Sequence, residues 1–258
     1  MLTLPGGLMF PAFSSSGLVN ASALAMDWRA EVKALYAPPM DETYPHAYSG
    51  SVGYSSGQIG LNGGYLGSLQ ENTAFNSAFL AGAFRFKRLA VGASLRKPEF
   101  RNEDPIATDL SASFALSYRI RLGASLYSIG NEPQLGVGIG LGRPQQLTLA
   151  ADLLFPVDPQ GNGISDQYAI GISMTRTFES VAYSAGLKFN RQQDGFVNES
   201  TFEGNLGLAF VLNRHMNFTT LYHSNPHTIT FGLAWVWTPP AEKYIREFQG
   251  QNRKTIWD

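Results

Sequence analysis

From His227 to Thr238 the chain reads His-Thr-Ile-Thr-Phe-Gly-Leu-Ala-Trp-Val-Trp-Thr, with a large apolar residue at nearly every second position. Successive side chains of an extended strand point to opposite faces. Ile229, Phe231, Leu233, Trp235 and Trp237 therefore share one face, and Thr228, Thr230, Gly232, Ala234 and Val236 share the other. One such strand would suit a soluble sandwich, which buries its large side and wets its small one. Recurrence decides the matter: about fourteen such strands follow one another with no helix to cover them. The arrangement that satisfies so many apolar faces together is a closed antiparallel transmembrane β-barrel.

The composition agrees. Charged residues make up 15% of the 258, against roughly a quarter in a typical soluble domain. The 27 Gly, 17 Phe and 11 Tyr suit strands, tight turns and aromatic girdles. A net charge of −1 gives no basic footprint for nucleic acid. With no cysteine, a disulfide framework and thiolate metal sites are excluded. No apolar run is long enough for a transmembrane helix. The opening Met-Leu-Thr-Leu-Pro-Gly-Gly lacks the basic start and apolar core of a signal peptide, so an exported chain would begin here after its signal was removed.

Three parts are expected. Residues 1–27, rich in Gly, Ser and Ala, form either a segment at the barrel mouth or lumen or a free tail; residues 28–238 form the barrel. Residues 239–258 form a periplasmic tail, with a short helix after Pro239-Pro240. The first strand, Trp28 to Tyr36, sets Ala30, Val32 and Ala34 against Arg29, Glu31 and Lys33. Strands two and three (46–55 and 58–67) are rich in Gly and Tyr. A Lys87-Arg88 turn pairs Phe86 with Leu89. Strands six (109–118) and seven (122–128) put Leu110, Phe114, Leu116, Tyr118, Leu122 and Leu126 outward. Strand twelve turns Leu206, Leu208 and Phe210 to lipid, and the last strand adds Ile229, Phe231, Leu233, Trp235 and Trp237. Links after strands four, six, eight, ten and twelve read as tight. Those after three, five, nine and eleven read as long and polar, as expected of a barrel with both termini periplasmic.

Chemical motifs dissolve on inspection. Gly136, Gly138, Gly140 and Gly142 have a glycine at every second position, whereas a dinucleotide loop needs its third glycine three residues after the second, at a helix start. These glycines are expected instead to narrow the wall or to admit another segment close to it. His223-Ser224-Asn225 resembles the His-x-Ser-Asn of outer-membrane lipid A deacylases, but here His and Ser are adjacent and diverge on a strand. His46, His215, His223 and His227 show no spacing that would gather them on one face around a metal. No catalytic residue, cofactor or metal is assigned.

The inward set carries more. Arg29, Glu31, Lys33, Arg85, Arg96, Asp152, Arg176, Lys188 and Glu203 are expected to line the lumen, and charges there require either water or mutual pairing. Small outward residues in the first strands, Ala30, Ala34, Gly50 and Gly63, would let another wall approach closely, which points to a homo-oligomeric contact.

As a pattern over its whole length the chain resembles the Gram-negative outer-membrane barrel superfamily, in the size range of monomeric porins. Gly17 to Ala25, Gly-Leu-Val-Asn-Ala-Ser-Ala-Leu-Ala, resembles the Asn-Pro-Ala-rich N-terminal stretch of FadL-like transporters, with Ala21 where that family usually has Pro. The resemblance implies a bacterial outer-membrane location with lipid as the surrounding partner. Three functions stay open at this point: passive passage of small solutes, an oligomeric scaffold with a plugged lumen, or transport of an apolar ligand past the N-terminal segment.

Overall fold

The computed structural model describes residues 8, 11, 16, 18–26, 28–39, 46–70, 73–97, 106–117, 119–129, 133–142, 147–157, 167–178, 180–194, 197–213, 215–224 and 227–237. The expected C-terminal helix and residue 118 lie outside them. Fourteen strands follow in order: β1 (Trp28–Ala37), β2 (His46–Ser56), β3 (Ile59–Gln70), β4 (Thr73–Phe86), β5 (Leu89–Lys97), β6 (Ala107–Ala115) and β7 (Ile120–Ile129). Then come β8 (Gln134–Gly142), β9 (Leu147–Pro156), β10 (Tyr168–Thr177), β11 (Val181–Asp194), β12 (Val197–Asn213), β13 (Met216–Ser224) and β14 (His227–Trp237). Each pairs antiparallel with its sequence neighbours, and β1 pairs with β14 to close the barrel. Closure leaves no unpaired strand edge.

Period-two alternation holds around the wall. Val32, Val52, Leu80, Leu95, Ile172, Leu187 and Leu206 are exposed on the outside, while most of the residues between them are small or polar and face in. Val52 is 61% exposed and Leu80 62%, values that water would penalise and hydrocarbon would not. The outward residues Leu206, Leu208, Phe210, Phe231, Leu233, Trp235 and Trp237 are exposed, and Ile229 is half-buried on the same face. Aromatic pairs gather near both rims. Tyr36 stacks with His46, Tyr48 with Tyr65, and Tyr222 with His227 toward one rim; Trp235 lies against both His215 and Trp237 toward the other. Such girdles are the interfacial signature of membrane barrels.

With an even number of strands, β1 begins and β14 ends at one rim, where Ala30 pairs with Trp237. Two-residue turns sit at this rim, and in those after β2 and β4 the first loop residue takes a positive φ, 78° at Gly57 and 54° at Lys87. Phe86 pairs with Leu89 across the second, as its spacing predicts. Two expected long links are short. β3 ends at Gln70 and β4 begins at Thr73, and β11 and β12 run on to Asp194 and from Val197. In the second case the polar residues expected in a loop continue the ladder, from Arg191 opposite Ser200 to Asp194 opposite Val197. Strand six also stops earlier than expected, at Ala115.

The core is inside the cylinder and is made by the chain's own N-terminal residues. A 3-10 turn, Ala21–Ala25, packs on the inner faces of β2 to β6. Leu24 and Ala25 are fully buried, and with Ala21 and Met26 they meet Ala81, Ala83 and Ala90 of β4 and β5. Leu8, further back in the chain, reaches β8 and β9.

Candidate functional site

Among the described residues, the lumen is where charge and hydrogen-bonding groups are placed away from the outer surface in quantity, so the site is built from its wall inward. One sector of that wall, β3 to β9, is fitted to the N-terminal segment by missing side chains. A Cβ on Gly60 would lie 2.6 Å from the Leu24 Cβ, and one on Gly92 would lie 2.5 Å from the Ser22 nitrogen. On β8 a Cβ at Gly136 would lie 2.9 Å from the Leu8 Cδ1, and one at Gly138 would lie 3.3 Å from its Cβ. The alternating glycines of β8 thus bring the wall close to a second segment of the same chain.

Polar groups complete this fit. Asn20 donates from Nδ2 to the Leu8 carbonyl (2.8 Å) and to the Ser113 Oγ (3.0 Å). Ser22 donates its amide to the Ser111 Oγ at 2.9 Å, and its hydroxyl donates to Asn20 Oδ1 and lies 2.6 Å from the Ser113 Oγ. Tyr127 donates its phenol to the Val19 carbonyl at 2.5 Å. Arg85 reaches the Met26 carbonyl at 3.4 Å, and the Leu8 amide donates to Asp152 at 2.9 Å. Backbone groups of a segment without a strand partner are in this way satisfied by inward side chains, as burial demands.

Beside the segment stands a polar knot around Asp109. Its carboxylate accepts from the Ser94 hydroxyl (2.9 Å), from Arg96 Nε and Nη2 (2.8 and 2.9 Å) and from the Ser128 amide (2.8 Å). The last bond exists because the β6–β7 register slips between Thr108 and Leu110, setting Tyr127 and Ser128 against the single residue Asp109. Ser128 takes φ 53° at this bulge, which turns its amide into the lumen while Tyr127 remains inward and buried.

The remaining expected lumen residues fall as follows. Glu31 is inward and buried, paired with Arg29; Lys33 is inward two positions on. Lys188 and Glu203 pair across β11 and β12 at 3.5 Å, and Glu203 also accepts from Asn190 at 2.6 Å. Arg176 is a correction. It has the parity of the exposed Ile172 and Met174, faces Tyr183 across the ladder and points outward at the tight-turn rim. Its guanidinium lies 4.8 Å over the Phe178 ring, where a long cationic side chain at a strand end can reach water.

Sequence reasoning missed Asp109 and Tyr127 as lumen groups. His223 and Asn205 are inward, buried and paired across β12 and β13. Ser224 points the other way, accepting the Gly204 amide at 2.6 Å, so the two side chains diverge as adjacent strand residues must. The outward small residues lie together: Ala34 faces Gly50, and Gly63 faces Val52.

No family model matches the chain, and no curated protein does. Solved structures overlie it loosely. A triple mutant of the Rhodopseudomonas blastica porin matches with TM-score 0.46 and 6% identity, covering 82% of this chain and 99% of that one. A loop-deletion mutant of OmpT, an outer membrane protein of Vibrio cholerae, matches with TM-score 0.49 and 10% identity over 82% and 98%. The KdgM porin matches with TM-score 0.42 and 8% identity over 82% and 99%. At that distance nothing about function is carried over from them.

Proposed function

We propose that the chain is an outer-membrane channel for passive passage of small solutes, with both barrel termini on the periplasmic side. The observation that carries this reading is the inversion of the wall. Apolar side chains project outward from a sealed cylinder, while ion pairs, amides and hydroxyls project inward. Fourteen strands enclose more space than the eight that side chains alone can fill, and less than the 16–18 of open porins. Part of that space holds the N-terminal segment, which leaves a narrowed rather than a wide path. Reconstitution in planar bilayers tests it. Steady conductance is expected, with ion preference shifted by Lys188→Glu; a silent bilayer containing folded barrel would refute the reading.

A second reading, an oligomeric scaffold with a plugged lumen, is favoured by the burial of Leu24 and Ala25 inside the barrel and by Ala34 and Gly50 side by side outside. Crosslinking in detergent separates the two. Stable oligomers without conductance would support the scaffold, and monomers that conduct would support the channel.

A further inference from the structure

The inner wall has two sectors of different character. On β3 to β8, Gly60 and Gly92 face the N-terminal segment at distances that leave no room for a methyl group, and Gly136 and Gly138 face Leu8 at 2.9 and 3.3 Å from where a Cβ would sit. On β10 to β14, inward glycines face, among the described residues, the wall itself or open space. Added Cβ atoms on Gly186, Gly207 and Gly232 would meet Asn205, Ser184 and Thr219, and one on Gly171 would meet nothing within 4 Å. Among the described residues, the 3-10 turn packs on β2 to β6 and Leu8 on β8 and β9.

The second sector is also chemically distinct. Its inward residues include the hydroxyls of Ser173, Thr175, Ser184, Thr219, Thr228 and Thr230, interspersed with the amides of Asn190, Asn205 and Asn217. Among the described residues the buried Ser173 Oγ has no hydrogen-bond partner. Among the described residues of this wall, the opposite charges Lys188 and Glu203 are paired with each other at 3.5 Å.

We propose that solute moves along the β10–β14 sector, and that this sector takes uncharged, hydroxyl-bearing molecules of polyol or small-sugar type. This rests on the channel reading above and specifies its route and its solute class. Hydroxyls and amides each donate and accept, so a polyol leaving water exchanges one set of hydrogen bonds for another at every step down the wall. With Lys188 and Glu203 paired, the described residues of this wall give no net charge that would favour one sign of ion, the feature that charged rings supply in ion-selective pores.

The test is liposome swelling with the full chain, using xylitol and glucose as probes, with potassium chloride diffusion potentials measured on the same preparation. Gly171→Trp fills the open position, and Ile172→Trp places the same bulk on the lipid side; barrel folding of each is checked by heat-dependent migration on gels. Polyol entry is expected for the wild type, with most of it lost in Gly171→Trp and retained in Ile172→Trp, and with diffusion potentials near zero. Polyol entry unaffected by Gly171→Trp would overturn the route. Strong ion selectivity without polyol entry would overturn the solute class while leaving a channel in place. Permeability to neither probe nor salt would remove the channel reading itself, and this proposal with it.

Discussion

Leu8 and Asp152 lie 144 positions apart in the chain, yet the amide of one donates to the carboxylate of the other at 2.9 Å inside the barrel. This bond ties the N-terminal segment to β9, on the far side of its contacts with β4 and β5. A hydrogen bond to a charged group contributes about 1.5–3 kcal/mol, so Asp152→Ala should weaken the docking of Leu8 by roughly ten- to a hundredfold. The chain has no cysteine, so a single Leu8→Cys thiol reports directly. Its labelling should be slow in the parent and fast with Asp152→Ala, and equal rates would show that the bond does not hold the segment.

The glycine contrast between the two sectors gives a paired prediction. Gly92→Val forces atoms into the space held by Ser22 and Ala21, and such overpacking costs about 1–3 kcal/mol. The cost falls on the docked segment, while the ladder between β5 and β6 is retained. Gly171→Val meets open space and should leave the segment in place. Labelling of Ala25→Cys, buried in the parent, should accelerate in the first background only.

Removing the hub of the Asp109 knot strands a partner. Asp109→Ala leaves the Arg96 guanidinium inside the lumen without its carboxylate, a change that costs about 3–5 kcal/mol where water is excluded. The double variant with Arg96→Ala should be less destabilised than the sum of the single ones. Denaturant titration in detergent, followed by tryptophan emission, measures all three; simple additivity would show that the pair is not coupled.

Depth in the membrane sets the cost of an outward charge. Leu208 lies near the middle of the stretch of β12 that spans the wall and Leu212 near its tight-turn end; both are exposed. Leu208→Arg should cost about 2–4 kcal/mol and Leu212→Arg about 0–1 kcal/mol in lipid. Reversible unfolding from vesicles gives both values, and equal costs would mean that the outward face is not bathed in hydrocarbon.

Strand order and facing were legible because a sealed wall has only two sides, and a period of two assigns every residue to one of them. Ile170, Ile172 and Met174 had already fixed the side on which Arg176 falls, and its charge is no reason to break the alternation. The Asp109 knot was not legible for the opposite reason. A bulge at Tyr127 and Ser128 inserts one residue into the count, and the partner of the Ser128 amide follows from that slip rather than from any local pattern. The hairpin of β11 and β12 was misread because polarity beyond the wall's apolar band looks the same in a loop and in a continuing ladder. Gly136 and Gly138 carried a usable signal, since glycine at successive inward positions marks a close approach, but Leu8 as the approaching residue has no signature of its own.

Closure by β1 and β14 also orders events in time. The 3-10 turn Ala21–Ala25 precedes Trp28 by only a few residues, and its inner seat spans β2 to β6. While the seam between Ala30 and Trp237 is open, the turn can swing into that seat with the curling sheet. Once the seam has zipped, the same residues would have to thread through a rim already lined by turns. Assembly is therefore expected to proceed around the segment, with closure of the β1–β14 ladder enclosing whatever the first residues of the chain have already reached.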